Sequence, residues 1–316
     1  MEQAIQIINR VLPILFLIYL GHWIRRRNFL LESTIDDLRK LVVNLALPAV
    51  LFISFLAIEL KLAYFVIFGL TFLLCILLFG LGNLLKRQFN LPHPYFPFLT
   101  TGFEYGMLGI SLFGSAYGLD KIGYIAVVDL GHEIFIWFVF LPLLLIKRDG
   151  LQNPLGVGKA FITSPVVLAI VAGIGLNVAG AREALDMLPV TGGLMLTLQF
   201  LAGLTIPLIL IIVGYGIKFD RHGLKEALLV AAIRLGLLIP LALLVNTFLI
   251  RSWLHLDRLF EIALFTLFIL PPPFIVPLYA RQDIGDEKKY INNVLTLHTI
   301  ISITIYIVYF VLNSWG

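Results

Sequence analysis

Four ionisable residues stand where ionisable residues are costly. Glu104, Asp129, Glu133 and Arg234 each interrupt an apolar run long enough to cross a bilayer, and a charge at that depth marks a functional site by default. Glu104 sits in GFEYGMLGIS, with Tyr105, Gly106, Gly109 and Ser111 around it. A carboxyl there could carry a proton, or bind Na⁺ together with carbonyls freed from a broken helix. The structural alternative is a Glu that pairs with a basic group and only locks the bundle. Asp129, His132 and Glu133 follow at spacings i, i+3 and i+4, which set all three on one helix face. Such a trio could relay a proton or ion, form a network that fixes its helix, or hold a metal. His132–Glu133 opens like a zinc-protease HExxH, but position 136 is Ile, so the second histidine ligand is missing. Arg234 reads either as a counter-charge for a substrate or as the salt-bridge partner of Asp129 or Glu133. Among uncharged groups, Asn44 and Gln199 could line a site or bond across helices, and Asn44 precedes Pro48. His298 and the pair Asn292–Asn293 read as structural.

These residues need a scaffold, and the composition dictates its class. The chain has 316 residues, 60% of them hydrophobic and 13% charged, with a mean hydropathy of +0.99. A soluble domain carries about a quarter charged residues. A soluble enzyme, a nucleic-acid binder and a disordered chain are therefore excluded. The net charge of +4 reflects instead the Lys and Arg that membrane proteins gather in their cytoplasmic loops. The one cysteine, Cys75, lies in an apolar run and cannot form an intrachain disulfide. No P-loop, GxGxxG, Ser/His/Asp arrangement or CxxC is present, so neither an enzyme nor a cofactor is expected, and ATP-driven transport by this chain alone is not either.

A span needs about 20 mostly apolar residues. Ten segments qualify: 4–24, 41–58, 62–85, 92–119, 122–146, 160–181, 187–217, 227–250, 262–280 and 290–316. Sixteen of the 23 Lys and Arg residues fall in alternate links, which by the positive-inside rule face the cytoplasm and put both termini outside. Trp23, Trp253 and Trp315 fall at span ends, where an aromatic belt belongs. The longest link, 147–159, is Gly/Pro-rich and divides the chain into 1–150 and 151–316, five spans each. An odd number of crossings reverses orientation, so two halves that share a fold are inverted repeats.

The fourth span of each half carries the strongest signal. The first contains five glycines between Gly102 and Gly118; the second contains Pro271, Pro272, Pro273 and Pro277. Consecutive prolines donate no backbone hydrogen bonds, so that helix must break. Broken segments at corresponding places in two halves point to a transporter's midplane binding site, where half-helix N-termini suit an anion. The expectation is an all-α polytopic membrane protein with broken, crossing helices 4 and 9.

RKLVVNLALPAVLF, the pattern GxLGIxLFG from Gly106, the segment IRLGLLIPL and the five-plus-five plan resemble the auxin efflux carrier family over essentially the whole chain. The bile acid/sodium symporter fold has the same crossing of two broken helices; the NLALPA element favours the auxin-carrier side. The resemblance implies transport of small organic anions by an elevator-like shift of a transport domain against a scaffold of helices 1, 2, 6 and 7, and homodimerisation through that scaffold. It also implies substrate bound beside the crossing. Arg234 matches a position commonly basic in the family. Two departures stand out: Glu104 where many members carry Asn, and Ser111 where many carry Pro. Without that proline the helix-4 break is expected to rely on Gly106 and Gly109, and a charged Glu104 would repel an anion. The combined expectation is a proton-linked carrier in the inner membrane of a prokaryote, embedded in the lipid bilayer, with Na⁺-coupled symport as the alternative. An intramembrane metal-dependent enzyme or sensor using Asp129, His132 and Glu133 is the reading from a different class.

Overall fold

Hydrocarbon offers no water to a peptide group, so an apolar chain must close its backbone hydrogen bonds within helices. The computed structural model describes residues 2–59, 61–149, 163–187, 189–217, 223–280 and 285–314, and every regular element among them is helical. They run α1 (Glu2–Arg26), α2 (Glu32–Ala57), α3 (Ala63–Gln88), α4 (Phe96–Leu99), α5 (105–117), α6 (Leu119–Arg148), α7 (Pro165–Val178), α8 (Arg182–Met187), α9 (Pro189–Gly216), α10 (Leu224–Trp253), α11 (Arg258–Ile269), α12 (Ile275–Tyr279) and α13 (Gly285–Ser314). Six of these, α2, α3, α6, α9, α10 and α13, are long and apolar enough to cross a membrane. The molecule is a helical membrane protein.

Small residues set how closely the helices approach, because lipid removes the usual hydrophobic drive for helix pairing. Helix α1 packs along α9, and α7 along α2. A side chain at Gly21 or Gly214 would collide with the backbone of the facing helix, at Ile211 and Ile18 respectively. Gly131 brings α6 equally close to the Phe68 carbonyl of α3. Large apolar side chains such as Phe16, Tyr19, Phe65 and Phe200 remain exposed on the outside, as a lipid-facing surface requires. Trp23 and Trp253 lie near the ends of α1 and α10 and are exposed; Trp315, the side chain of Arg10 and the 1–150/151–316 boundary lie outside the described residues.

Two findings depart from the sequence expectation. Helix α2 begins at Glu32, well before residue 41, because its first turns are amphipathic. Ile35 is buried there, while Asp36–Arg39 and Asp37–Lys40 form ion pairs of 2.7 and 2.9 Å on the polar side. The break in the fourth segment falls at 100–104, between α4 and α5, and not at Gly106 or Gly109. Gly102 has φ +73°, a conformation that glycine adopts without steric cost, and an added Cβ would meet Pro273 at 2.7 Å. Gly106 and Gly109 lie inside a π-helical turn, Tyr105–Gly109, closed by the Gly109 N–H on the Glu104 carbonyl (3.1 Å). Gly109 instead gives room to Leu270, 2.8 Å from where its Cβ would stand. The second break spans 270–274, between α11 and α12, where the triple proline leaves no N–H to continue the helix.

Candidate functional site

The two breaks touch. The N–H of Glu104 donates to the Pro271 carbonyl at 2.9 Å, and Phe103 stacks on Phe268 with parallel rings 5.6 Å apart. Each break exposes a carbonyl-bearing helix end and an N–H-bearing helix start, and buried backbone groups of both kinds need partners.

The carbonyl ends meet Arg234. This side chain is 1% exposed. Its Nη2 donates to the carbonyls of Gly102 (2.8 Å) and Leu270 (3.1 Å), and its Nε donates to Nε2 of His298 (3.3 Å). The guanidinium also lies over the Phe103 ring, 5.6 Å from its centre, within cation–π range. Since His298 Nε2 accepts, Nδ1 carries the ring hydrogen and donates to Ser302 Oγ at 3.0 Å. The Ser302 hydroxyl in turn donates to the Ile269 carbonyl. A cation and a neutral histidine thus serve three carbonyls left at the helix ends, where the dipole favours positive charge. The expected salt bridge from Arg234 to Asp129 or Glu133 does not form. Its Nη2 is occupied instead by the two carbonyls freed at the breaks and its Nε by His298, while its Nη1 is buried without a hydrogen-bond partner.

The N–H starts meet Glu104. Its Oε1 accepts from Met107 N at 3.2 Å, at the start of α5. Its Oε2 accepts from Phe274 N, the first N–H available after the three prolines. One carboxylate therefore bridges both broken segments through backbone donors, in place of the basic partner that sequence reasoning allowed for. Charge-assisted bonds of this kind contribute roughly 1.5–3 kcal/mol each.

Behind Glu104 stands the trio of α6. Phe103 N donates to Nε2 of His132 at 2.9 Å, so Nδ1 holds the ring hydrogen and donates to Oδ1 of Asp129 at 2.8 Å. Asp129 is fully buried, and its Oδ2 takes no hydrogen bond from a donor. Glu133 accepts from Trp137 Nε1 at 3.1 Å. The three residues do converge, each offering a ligand atom within 4.8 Å of the others. As folded, though, both His132 nitrogens are engaged, which leaves no ring lone pair for a metal.

An open cavity of about 910 Å³ reaches this place. Its lining runs from Glu32, Asp36, Arg39 and Lys288 at helix ends inward to Glu104 and Glu133. Tyr105, Gly106, His132, Pro273 and Phe274 also line it, as does Asn44, whose amide bonds its own helix at the Lys40 carbonyl (2.8 Å). Gly109, Ser111, Asp129, Arg234, Pro271 and Pro272 are not in the lining. Ser111 is buried and donates to the Leu108 carbonyl at 3.0 Å, and Gln199 lies on the exposed side of α9. Sequence reasoning overlooked Phe274 and Ser302. The first was legible as the residue ending a proline run, the second as the i+4 neighbour of His298.

Neither a scan against protein-family models nor a search of curated proteins finds a match to this chain.

Proposed function

We propose that the chain is a secondary active transporter. It moves a small organic anion, a mono- or dicarboxylate or an auxin-like weak acid, by alternating access around the crossing. Glu104 is the proton-coupling carboxyl and the α6 trio backs it. The observation that carries this reading is the carboxylate of Glu104, held by backbone N–H groups of both broken segments at the inner end of a 910 Å³ cavity. A proton on that carboxyl changes the force between the two segments, and a ligand moves a conformational equilibrium only by such a difference between states.

The order of the elements supports the finer architecture. Helices α1, α2, α3, the broken pair α4/α5 and α6 make one run of five. Helices α7, α9, α10, the broken pair α11/α12 and α13 make a second, with the break fourth in each. Counted as spans these are ten, and two five-span halves are inverted repeats, 1–150 and 151–316. The packing of α1 on α9, α7 on α2 and α9 on α2 supports a common scaffold unit against which an elevator-type transport domain could slide. The resemblance to the auxin efflux carrier family adds the homodimer formed through that scaffold. With the basic links cytoplasmic, Arg39 and Lys288 put the cavity mouth on the cytoplasmic side of a prokaryotic inner membrane, and both termini lie outside.

The test is uptake of labelled succinate, malonate and indole-3-acetate into proteoliposomes under an imposed pH gradient and, separately, a Na⁺ gradient. Accumulation driven by the pH gradient is the expected result. Accumulation driven by Na⁺ alone replaces the proton by Na⁺. No gradient-driven flux of any carboxylate defeats the reading.

A further inference from the structure

The place where an organic anion would be held best is already taken by the chain's own carboxylate. At the crossing, two backbone donors converge: Met107 N at the start of the thirteen-residue helix α5, and Phe274 N after the prolines. Each donates to one oxygen of Glu104. A free carboxylate has the same two oxygens at the same separation, so what fits Glu104 there fits a substrate carboxylate. A second feature marks the place as more than a cap. The Tyr105 hydroxyl is buried with no hydrogen-bond partner among the described residues, although the residue, 5% exposed, lines the cavity. A buried hydroxyl without a partner is costly, and the ionisable groups nearest this one are Asp129 and Glu133. Gly106, beside it, also lines the cavity and has no atom within 4 Å of where a Cβ would stand.

We propose that Glu104 is an internal stand-in for the substrate: its carboxylate and the substrate's carboxylate take turns on the Met107 and Phe274 N–H groups. This rests on the transporter reading above and names how its substrate is held. The exchange balances in charge. Glu104 takes a proton from the cavity water, one O–H bond forms, and the neutral carboxyl, a weaker acceptor, releases the two donors. The incoming anion brings back the single negative charge that the proton removed. The site carries one negative charge before and after, so one proton enters with each carboxylate bound, and no net charge enters with them. The charged groups that act on Glu104 are Asp129 and Glu133 from α6 and Arg39 from α2, and Tyr105 and His132 share its cavity lining. Helix α13 contributes Lys288 to the same lining, and the proline segment contributes no titratable group.

The experiment is chemical rescue. Purified full-length Glu104→Ala loses the stand-in and leaves a seat of one acetate's size. Its Tm in detergent at pH 8 should rise by several degrees as acetate is titrated, while wild-type protein should not respond and methylammonium should stabilise neither. If the variant aggregates on extraction, recovery of monodisperse protein with acetate but not with chloride supports the inference equally. Glu104→Gln is the second variant, since its amide oxygen can accept from only one of Phe274 N and Met107 N, its nitrogen accepts from neither, and it carries no charge. It should bind acetate with an affinity independent of pH, whereas wild type should bind it only as pH falls. Absence of rescue in Glu104→Ala, or wild-type pH dependence in Glu104→Gln, overturns the shared seat even if carboxylate flux is observed. Rescue in a protein that moves no carboxylate under any gradient leaves the seat intact and removes the transporter reading instead.

Discussion

The two faces of the crossing obey one electrostatic rule and differ in access to water. On one face Arg234 and the His298–Ser302 pair meet the carbonyls of Gly102, Leu270 and Ile269. On the other, Glu104 meets the N–H groups of Met107 and Phe274. Each places the sign of charge that the exposed helix ends favour. Arg234, however, is 1% exposed and lies outside the cavity lining, while Glu104 is 8% exposed and sits at its inner end. A charge sealed from water cannot exchange ions during a cycle; a charge at a cavity's end can. The Arg234 face is therefore placed as a fastening, and on the proposed function the Glu104 face is where solute and proton would arrive.

The sharpest way to break that contrast is Arg234→Met. Removing the guanidinium leaves two buried carbonyls and the His298 acceptor unsatisfied, at about 1–3 kcal/mol for each such group. The expected outcome is a large drop in Tm in detergent. A variant that folds normally yet transports nothing would make Arg234 functional and dissolve the contrast. His132→Ala should cost less, about 1–3 kcal/mol, because it leaves the Phe103 N–H and Oδ1 of Asp129 without their histidine partner. Its thermal unfolding should fall between those of Arg234→Met and wild type. Smallest is Asn44→Ala. The Asn44 amide bonds only its own helix and is exposed to the cavity, so Tm should move by no more than about 0.5 kcal/mol's worth. A change in carboxylate affinity in Asn44→Ala would extend the solute's path to that wall of the cavity.

What the sequence made legible follows from covalent constraint. Three consecutive prolines allow no helix, so the second break was readable at Pro271–Pro273, and i, i+3, i+4 spacing put Asp129, His132 and Glu133 together. What it hid follows from tertiary contact. The glycines from Gly102 to Gly118 look alike in the chain. Only the approach of Pro273 and the bond from Glu104 N to the Pro271 carbonyl select Gly102 for the positive φ and move the break away from Gly106 and Gly109. The salt bridge to Asp129 or Glu133, one of the two readings of Arg234, does not form for a related reason. The partners of Arg234 Nη2 are backbone carbonyls, which carry no residue type to recognise, and they become available only because two helices break side by side. Ten apolar runs read as spans, and six of the described helices are long and apolar enough to cross a membrane, but the early start of α2 was not legible. Its polar first turns lie along a cavity wall that exists only once the other helices have packed.

The central claim is that Glu104 is the group whose charge changes during transport. The most direct measurement is the luminal pH of proteoliposomes, reported by a trapped dye, when succinate is added outside. Wild type is expected to acidify the lumen as succinate enters, one proton for each carboxylate seated at the crossing, and Glu104→Gln to take up succinate without acidification. Wild-type uptake that moves no protons, or acidification by Glu104→Gln at the wild-type rate, would contradict the account.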